Sequence, residues 1–230
     1  MTYQFGKTVV IGLGGSIISP DEIDVLFLQK FRALVKRYVA RGTKFIIVTG
    51  GGRVARMYQE AARKLGKVED SDGDWMGIQG TRCNAYLLRT IFRGIVDPVI
   101  FHERHARERL QYPVTISSGW DPGWSTDADA MFLAHDFGVA ETIAAGKPAF
   151  VYDKDPTKYK NAKPFTDITW SEYRKIIPKT WTPGAHTPVD PVAARYGHKH
   201  KIAALVVNGK DIKNFDNLLG GKEFRGTLVS

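Results

Sequence analysis

Residues 8–16, Thr8-Val9-Val10-Ile11-Gly12-Leu13-Gly14-Gly15-Ser16, and residues 44–52, Lys44-Phe45-Ile46-Ile47-Val48-Thr49-Gly50-Gly51-Gly52, follow one pattern: a short, largely β-branched run that ends on glycine. Each run is too short for a helix and stops at a glycine turn, so both predict buried strands. Between them, over residues 21–40, Ile23, Phe27, Phe31, Leu34 and Tyr38 recur at spacings of three and four with charges in between. That is the apolar stripe of an amphipathic helix, and Arg41-Gly42 closes it. A further helix is expected over 53–65. Strand, glycine turn and helix, twice in succession, predict an α/β fold with a parallel sheet covered by helices.

The alternation continues downstream. A helix is expected over 74–93, strands over 99–101 and 114–117, a Gly/Pro/Trp loop over 117–124 and a helix over 125–137. One or two strands around Gly146 fall within 141–152, followed by a polar loop over 153–164. The end of the chain reads as a short helix over 188–196 and strands over 202–207 and 226–229. There is no internal repeat, low-complexity tract or evident linker. A single domain over 1–230, with two lobes allowed, is the economical expectation.

The 230 residues carry a formal charge of +9 and a single cysteine, Cys83. One cysteine excludes an intrachain disulfide and fits a reducing compartment. There is no charged leader followed by an apolar stretch, and no apolar run approaches the roughly 20 residues of a membrane-spanning helix. A cytoplasmic protein without membrane contact is expected. The excess of base favours anionic partners. Its scatter among acidic residues, and the lack of a recognised nucleic-acid motif, favour phosphorylated small molecules over nucleic acid.

In a doubly wound sheet, ligands sit beyond the C-terminal ends of the strands. Three turns fall there. Glycines let a backbone approach phosphate closely, and amides of the following helix point at it. Gly14, Gly15 and Ser16 can therefore cradle one phosphate. Gly51 and Gly52 can cradle another, with Arg53 or Arg56 closing over it. Neither turn matches the Walker or the dinucleotide-binding fingerprint, and a tight turn alone would also explain each. The third turn, within 117–127, places Thr126-Asp127 at a helix start, either as first-turn acid or as a ligand-facing carboxylate. Asp153 and Asp155 flank Lys154 and read equally as a turn. His102 and His105 are three apart but lack further metal ligands. Trp120, Trp124, Trp170 and Trp181 are available either to stack on a base or to pack.

In this order the turns resemble the amino-acid-kinase family and, within it, the uridylate kinases of archaeal type, over almost the whole chain. Gly14-Gly15-Ser16 is similar to the first phosphate turn. Residues 50–56, Gly-Gly-Gly-Arg-Val-Ala-Arg, are similar to the segment at the acceptor phosphate. Residues 74–85 resemble the helix whose Asp holds a ribose, and 118–127 the loop that reads the acceptor and supplies an active-site Asp. Val151-Tyr152 with Asp155-Pro156 looks like the adenine-side strand and loop. Residues 188–194 resemble the late helix, with Asp190 matching a family acid, and Gly226-Thr227 the closing strand.

The resemblance implies a three-layer αβα sandwich with a mainly parallel central sheet, and transfer of phosphoryl from Mg-ATP to UMP. It implies Asp127 and Asp190 as catalytic acids. Gly14, Gly15, Ser16, Tyr152, Asp155 and Pro156 fall to ATP; Gly51, Gly52, Arg56, Asp74, Ser125 and Thr126 fall to UMP. No protein-borne metal site is expected beyond the Mg2+ of ATP, and a homo-oligomer, a hexamer, is implied. Two positions depart from the pattern. Many bacterial members carry Lys where this chain has Gly12, although archaeal-type members can lack it. The family reads Val-Asp-Gly before the adenine-side strand, whereas this chain reads Pro148-Ala149-Phe150 with Lys147 nearby. A non-catalytic nucleotide- or anion-binding protein of storage or regulatory type, and a kinase with another small acceptor, are the alternatives.

Overall fold

The two glycine-ended runs are adjacent parallel strands at the centre of the molecule. The computed structural model describes residues 1–182 and 187–230. Its strands are β1 (Thr8–Leu13), β2 (Lys44–Thr49), β3 (Val114–Ser117), β4 (Glu141–Gly146), β5 (Val151–Tyr152), β6 (Pro164–Phe165), β7 (Asp167–Ile168), β8 (Ala203–Asn208) and β9 (Thr227–Val229). Its helices are α1 (Gly15–Ile18), α2 (Val25–Val39), α3 (Gly52–Leu65), α4 (Asp70–Ile91), α5 (Thr126–Asp136), α6 (Trp170–Ile176), α7 (Pro191–His200) and α8 (Ile212–Leu219).

Seven strands form one sheet in the order β3-β2-β1-β4-β8-β9-β7. The first five run parallel; β9 pairs antiparallel with β8, and β7 parallel with β9. β5 and β6 form a separate antiparallel pair. Side chains of a strand alternate between faces, and both faces here are covered. Val9, Ile11, Leu13, Phe45 and Ile47 pack with Phe31, Leu88 and Phe215 from α2, α4 and α8. Val10, Ile46 and Val48 pack on the other side with Met131, Tyr173 and Ala194 from α5, α6 and α7. This is the expected three-layer sandwich, and its strands read as continuous apolar runs because neither face meets water. No helix among the described residues is long and apolar enough to cross a membrane.

Several expected boundaries move. α2 begins at Val25, four residues late, because the Asp24 side chain accepts from the Phe27 amide (2.9 Å) and caps the helix there. Ile23 consequently lies outside the stripe and is 38% exposed. α4 begins at Asp70, four residues early. Residues 99–101 form no strand; Phe101 makes an isolated bridge to Ser117. The helix expected over 188–196 runs from Pro191 to His200, with Asp190 as its cap. α6 and α8 were not foreseen. α6 carries a complete capping box, in which Thr169 and Glu172 satisfy each other's backbone amides, a signal legible in Thr169-Trp170-Ser171-Glu172.

Because β1 and β2 are in full register, with Leu13 opposite Thr49, the turns that follow them leave the sheet side by side. They touch backbone to backbone. A Cβ on Gly15 would overlap the Gly52 amide nitrogen and the Gly50 carbonyl carbon, and one on Gly50 would overlap the Gly15 amide. Gly52 also holds φ +64°, a left-handed conformation that favours glycine. Gly15→Ala should therefore lower the unfolding free energy by about 3 kcal/mol in urea titrations. Gly66→Ala, with open space around its Cβ position, should change it by less than about 0.5 kcal/mol.

Candidate active site

The second glycine turn and the segment after β3 are held from outside by polar side chains on neighbouring elements. Asn84 of α4 donates from Nδ2 to the carbonyls of Gly50 (2.7 Å) and Gly51 (3.3 Å). Thr49 Oγ1 lies within reach of the carbonyls of Thr81 and Ser117 and donates to one of them, and Thr81 Oγ1 accepts from the Gly119 amide at 2.9 Å. Some turn amides are engaged within the protein: Gly14 donates to the Ala145 carbonyl, Gly50 to Leu13 and Arg53 to Ser19, each at 2.9 Å.

Two cavities open on either side of these turns. The smaller, of about 170 Å3, is lined among others by Gly51, Asp74, Thr81, Trp124, Ser125, Thr126 and Trp181. The larger, of about 500 Å3, is lined among others by Gly14, Gly15, Ser16, Arg53, Asp127 and Lys147. Gly52 and Arg56 line both. Arg56 reaches the Pro20 carbonyl at 3.3 Å through one guanidinium nitrogen, while Arg53 pairs with Glu60 at 3.1 Å. The structure thus gathers Gly51, Gly52, Arg56, Asp74, Ser125 and Thr126 around one cavity, and Gly14, Gly15, Ser16 and Asp127 around the other.

Tyr152, Asp155, Pro156 and Asp190 line neither. Asp155 is exposed and turns inward on its own loop, accepting from the amide and hydroxyl of Thr157, which hold its carboxyl below the usual range. Of the tryptophans, Trp120 and Trp170 are buried in the core, Trp170 donating to the Ile202 carbonyl at 3.0 Å. Trp124 and Trp181 face the smaller cavity. Asp74 there accepts from the Gly123 amide at 2.8 Å and from Trp181 Nε1 at 3.2 Å. Around His102 and His105, as elsewhere among the described residues, no group of three or more His, Cys, Asp or Glu is placed to hold a metal ion.

Three aspartates cluster behind the turns. Asp190 is 1% exposed; it caps α7 through the amides of Val192 (2.6 Å) and Ala193 (3.1 Å), and accepts from Ser125 Oγ at 2.6 Å. Ser125 Oγ also lies 3.2 Å from Asp127, but a hydroxyl has one proton to donate. Asp127 opens into the larger cavity while its carboxylate lies deep in the fold. Burial first, and then the Asp190 charge, push its pKa up to about 7. Burial also raises Asp190, and raises Asp129 strongly although Trp124 Nε1 donates to it at 2.6 Å. A Cβ on Gly12 would stand 3.4 Å from Asp127 Oδ1, so the strand position beside this carboxylate carries no cation. Asp129 was missed in the sequence because acids in a first helical turn ordinarily complement the dipole.

A carboxyl whose folded pKa exceeds its unfolded value binds a proton on folding, so its stability term is present at low pH. That term is lost as pH rises from about 4 to about 7. Asp127→Asn should therefore raise the melting temperature of the nucleotide-free protein more at pH 8 than at pH 5. An equal shift at both values would show that Asp127 does not titrate in this window.

Residues 7–208 match the family model described as the amino acid kinase family. A uridylate kinase of Thermococcus sibiricus is 32% identical over 224 residues, covering 96% of this chain and 98% of the relative. A uridylate kinase of Staphylothermus marinus is 30% identical, covering 97% and 98%. Among solved structures, the uridylate kinase of Archaeoglobus fulgidus superposes with a TM-score of 0.82 at 28% identity, covering 96% of this chain and 99% of that one.

Proposed function

The chain belongs to the amino acid kinase family, and from that premise we propose that it transfers the γ-phosphoryl group of ATP to the phosphate of UMP, giving ADP and UDP. The observation that carries the reading is the pair of cavities that meet at Gly52 and Arg56. Phosphoryl transfer asks a protein mainly to align two phosphates and offset their charge, and a wall shared between two adjoining cavities does this.

UMP occupies the smaller cavity. Gly51, Gly52 and Arg56 hold its phosphate, Arg56 through a fork suited to bidentate contact. Asp74 accepts from the ribose, and Ser125 and Thr126 border the base end. ATP phosphates occupy the larger cavity against Gly15 and Ser16, with Gly14 shaping the turn and Arg53 and Lys147 adding positive charge. Tyr152, Asp155 and Pro156 fall to the adenine end by resemblance, and none lines that cavity. Mg2+, carried in on ATP, would supply charge neutralisation at the transferred group; Asp21 and Asp127 are the carboxylates that line the donor-side cavity, and with no preformed ligand cage among the described residues they would complete a coordination shell supplied mainly by the nucleotide. Asp127 is the catalytic carboxylate. Asp190 is a positioning residue: it fixes Ser125, which fixes Asp127.

Lys147 and Pro148 stand in the donor wall close to where the family acid is replaced by Ala149, so positive charge stands near the place of the missing carboxylate. A non-catalytic binder is the second reading, and Ala149 is the observation that favours it. ATP as donor fits a cytoplasmic setting. Self-association, as the hexamer that resemblance implies, is supported by apolar side chains exposed on the packed pair α3 and α4: Met57, Tyr58, Leu65, Trp75 and Tyr86.

Incubation with Mg-ATP and a panel of nucleoside monophosphates should release ADP with UMP, or with UMP and CMP, alone. No release with any acceptor, while UMP still raises the melting temperature, would select the non-catalytic binder. Arg56→Ala should raise the KM for UMP by at least about tenfold; an unchanged KM would remove Arg56 from the acceptor site.

A further inference from the structure

The four exposed cations Arg174, Lys175, Lys179 and Arg195 converge on a third cavity, of about 360 Å3, between the C-terminal end of α6 and the first half of α7. Its remaining walls are Ser171, Ile177, Pro178 and Pro191. No carboxylate lines it among the described residues, and none of the four cations has an acidic partner within 4.0 Å there. Arg174 instead meets His198 Nδ1 at 3.1 Å, and Arg195 donates to the Lys179 carbonyl at 2.9 Å. The one nearby acid on α6, Glu172, faces the other end of the helix, held by the amide and hydroxyl of Thr169. Glu172 lies close enough to feel the charge of Lys175, but four like charges with no acid within 4.0 Å still repel one another, and apolar walls focus their field into the concavity. Such a space favours a multiply charged anion. Its lining includes no aromatic side chain to stack a base, so its walls offer contacts to a charged group and none to a base.

The cleft is also joined to the acceptor cavity. A fourth cavity shares Lys179 and Arg195 with the cationic cleft, and Asp74 and Trp181 with the acceptor cavity. Three consecutive residues make the link: Lys179 stands in the cleft, its carbonyl held by Arg195, and the Trp181 indole donates to Asp74. Three extended residues span at most about 10 Å, so a shift at Lys179 reaches Asp74 with little slack.

We propose that the Arg174–Lys175–Lys179–Arg195 cleft is a second anion site, for a phosphorylated small molecule, and that its occupancy weakens acceptor binding by holding Trp181 on Asp74. The coupling rests on the UMP-kinase reading; the site itself does not.

Tripolyphosphate is the probe, at fixed ionic strength, with binding followed by calorimetry on the full chain. Arg174→Gln/Lys175→Gln should lose at least about tenfold in affinity, while Arg56→Ala keeps wild-type affinity at the cleft. Loss in Arg56→Ala with retention in the double variant would put the anion on the phosphate turns and overturn the site. Equal affinity in all three proteins, or no binding, would reduce the cleft to a solvated basic surface and overturn it as well. Displacement of the probe by a single-stranded oligonucleotide, with a steep salt dependence, would assign the cleft to nucleic acid and overturn the small-molecule reading. For the coupling, tripolyphosphate should raise the KM for UMP at least threefold in wild type, and in neither the double variant nor Trp181→Phe. An unchanged KM beside intact binding would overturn the coupling alone. Absence of any UMP phosphorylation would defeat the UMP-kinase reading and leave the binding result to stand by itself.

Discussion

Everything in the catalytic region depends on two turns that touch through bare backbone. Gly15 lies against Gly50 and Gly52 with no space for a side chain on any of the three, and this contact follows from the full register of β1 with β2. The separation of the two cavities is therefore set by peptide groups and not by rotatable side chains. Asn84, Thr49 and Thr81 reinforce it from α4 and β2. Arg56, the long side chain common to both cavities, grows from the helix that Gly52 begins, so its origin is fixed by the same contact.

The charge arrangement behind the turns runs against stability. Three aspartates share a largely buried region, and the strand position next to Asp127 is a glycine. Their hydrogen bonds come from one hydroxyl, one indole, the first amides of α7 and the backbone of Ser125 and Asp190. Ser125 satisfies one carboxylate at a time, and the Asp190 charge adds to burial in raising Asp127. A region of this kind is stabilised by whatever positive charge arrives from outside, which is the opposite of the cationic cleft between α6 and α7. The two features place unbalanced negative and positive charge on either side of α7: Asp190 caps its start and Arg195 projects from its middle.

The layered α/β architecture was legible because strands buried on both faces become uninterrupted apolar runs, and because glycine marks their ends. The central helices were legible from their stripes. The elements that escaped notice are short: α6 and α8 have seven and eight residues, too few for a period to emerge, although the capping box of α6 was written in the sequence. Boundaries moved where a side-chain cap overrode the pattern, as Asp24 does for α2. At the site, residues within the glycine turns were readable from local spacing. Asp129 and the pairing of Trp181 with Asp74 were not, because 107 positions separate the latter and no periodicity connects an indole in a loop to a helix so far away. Tyr152, Asp155 and Pro156 rest on resemblance alone, and they line neither cavity.

The indole on Asp74 has a consequence for selectivity. A carboxylate has room for about four donors, but the indole and the Gly123 amide both fall on Asp74 Oδ2, so a hydroxyl arriving at that oxygen exchanges for the indole instead of adding to it. An exchange reaction contributes weakly to affinity and strongly to discrimination. A sugar that presents two donors completes the swap, whereas one lacking a hydroxyl leaves Trp181 where it is and meets a closed door. Ribose would then be told from deoxyribose by competition with a group the protein carries itself.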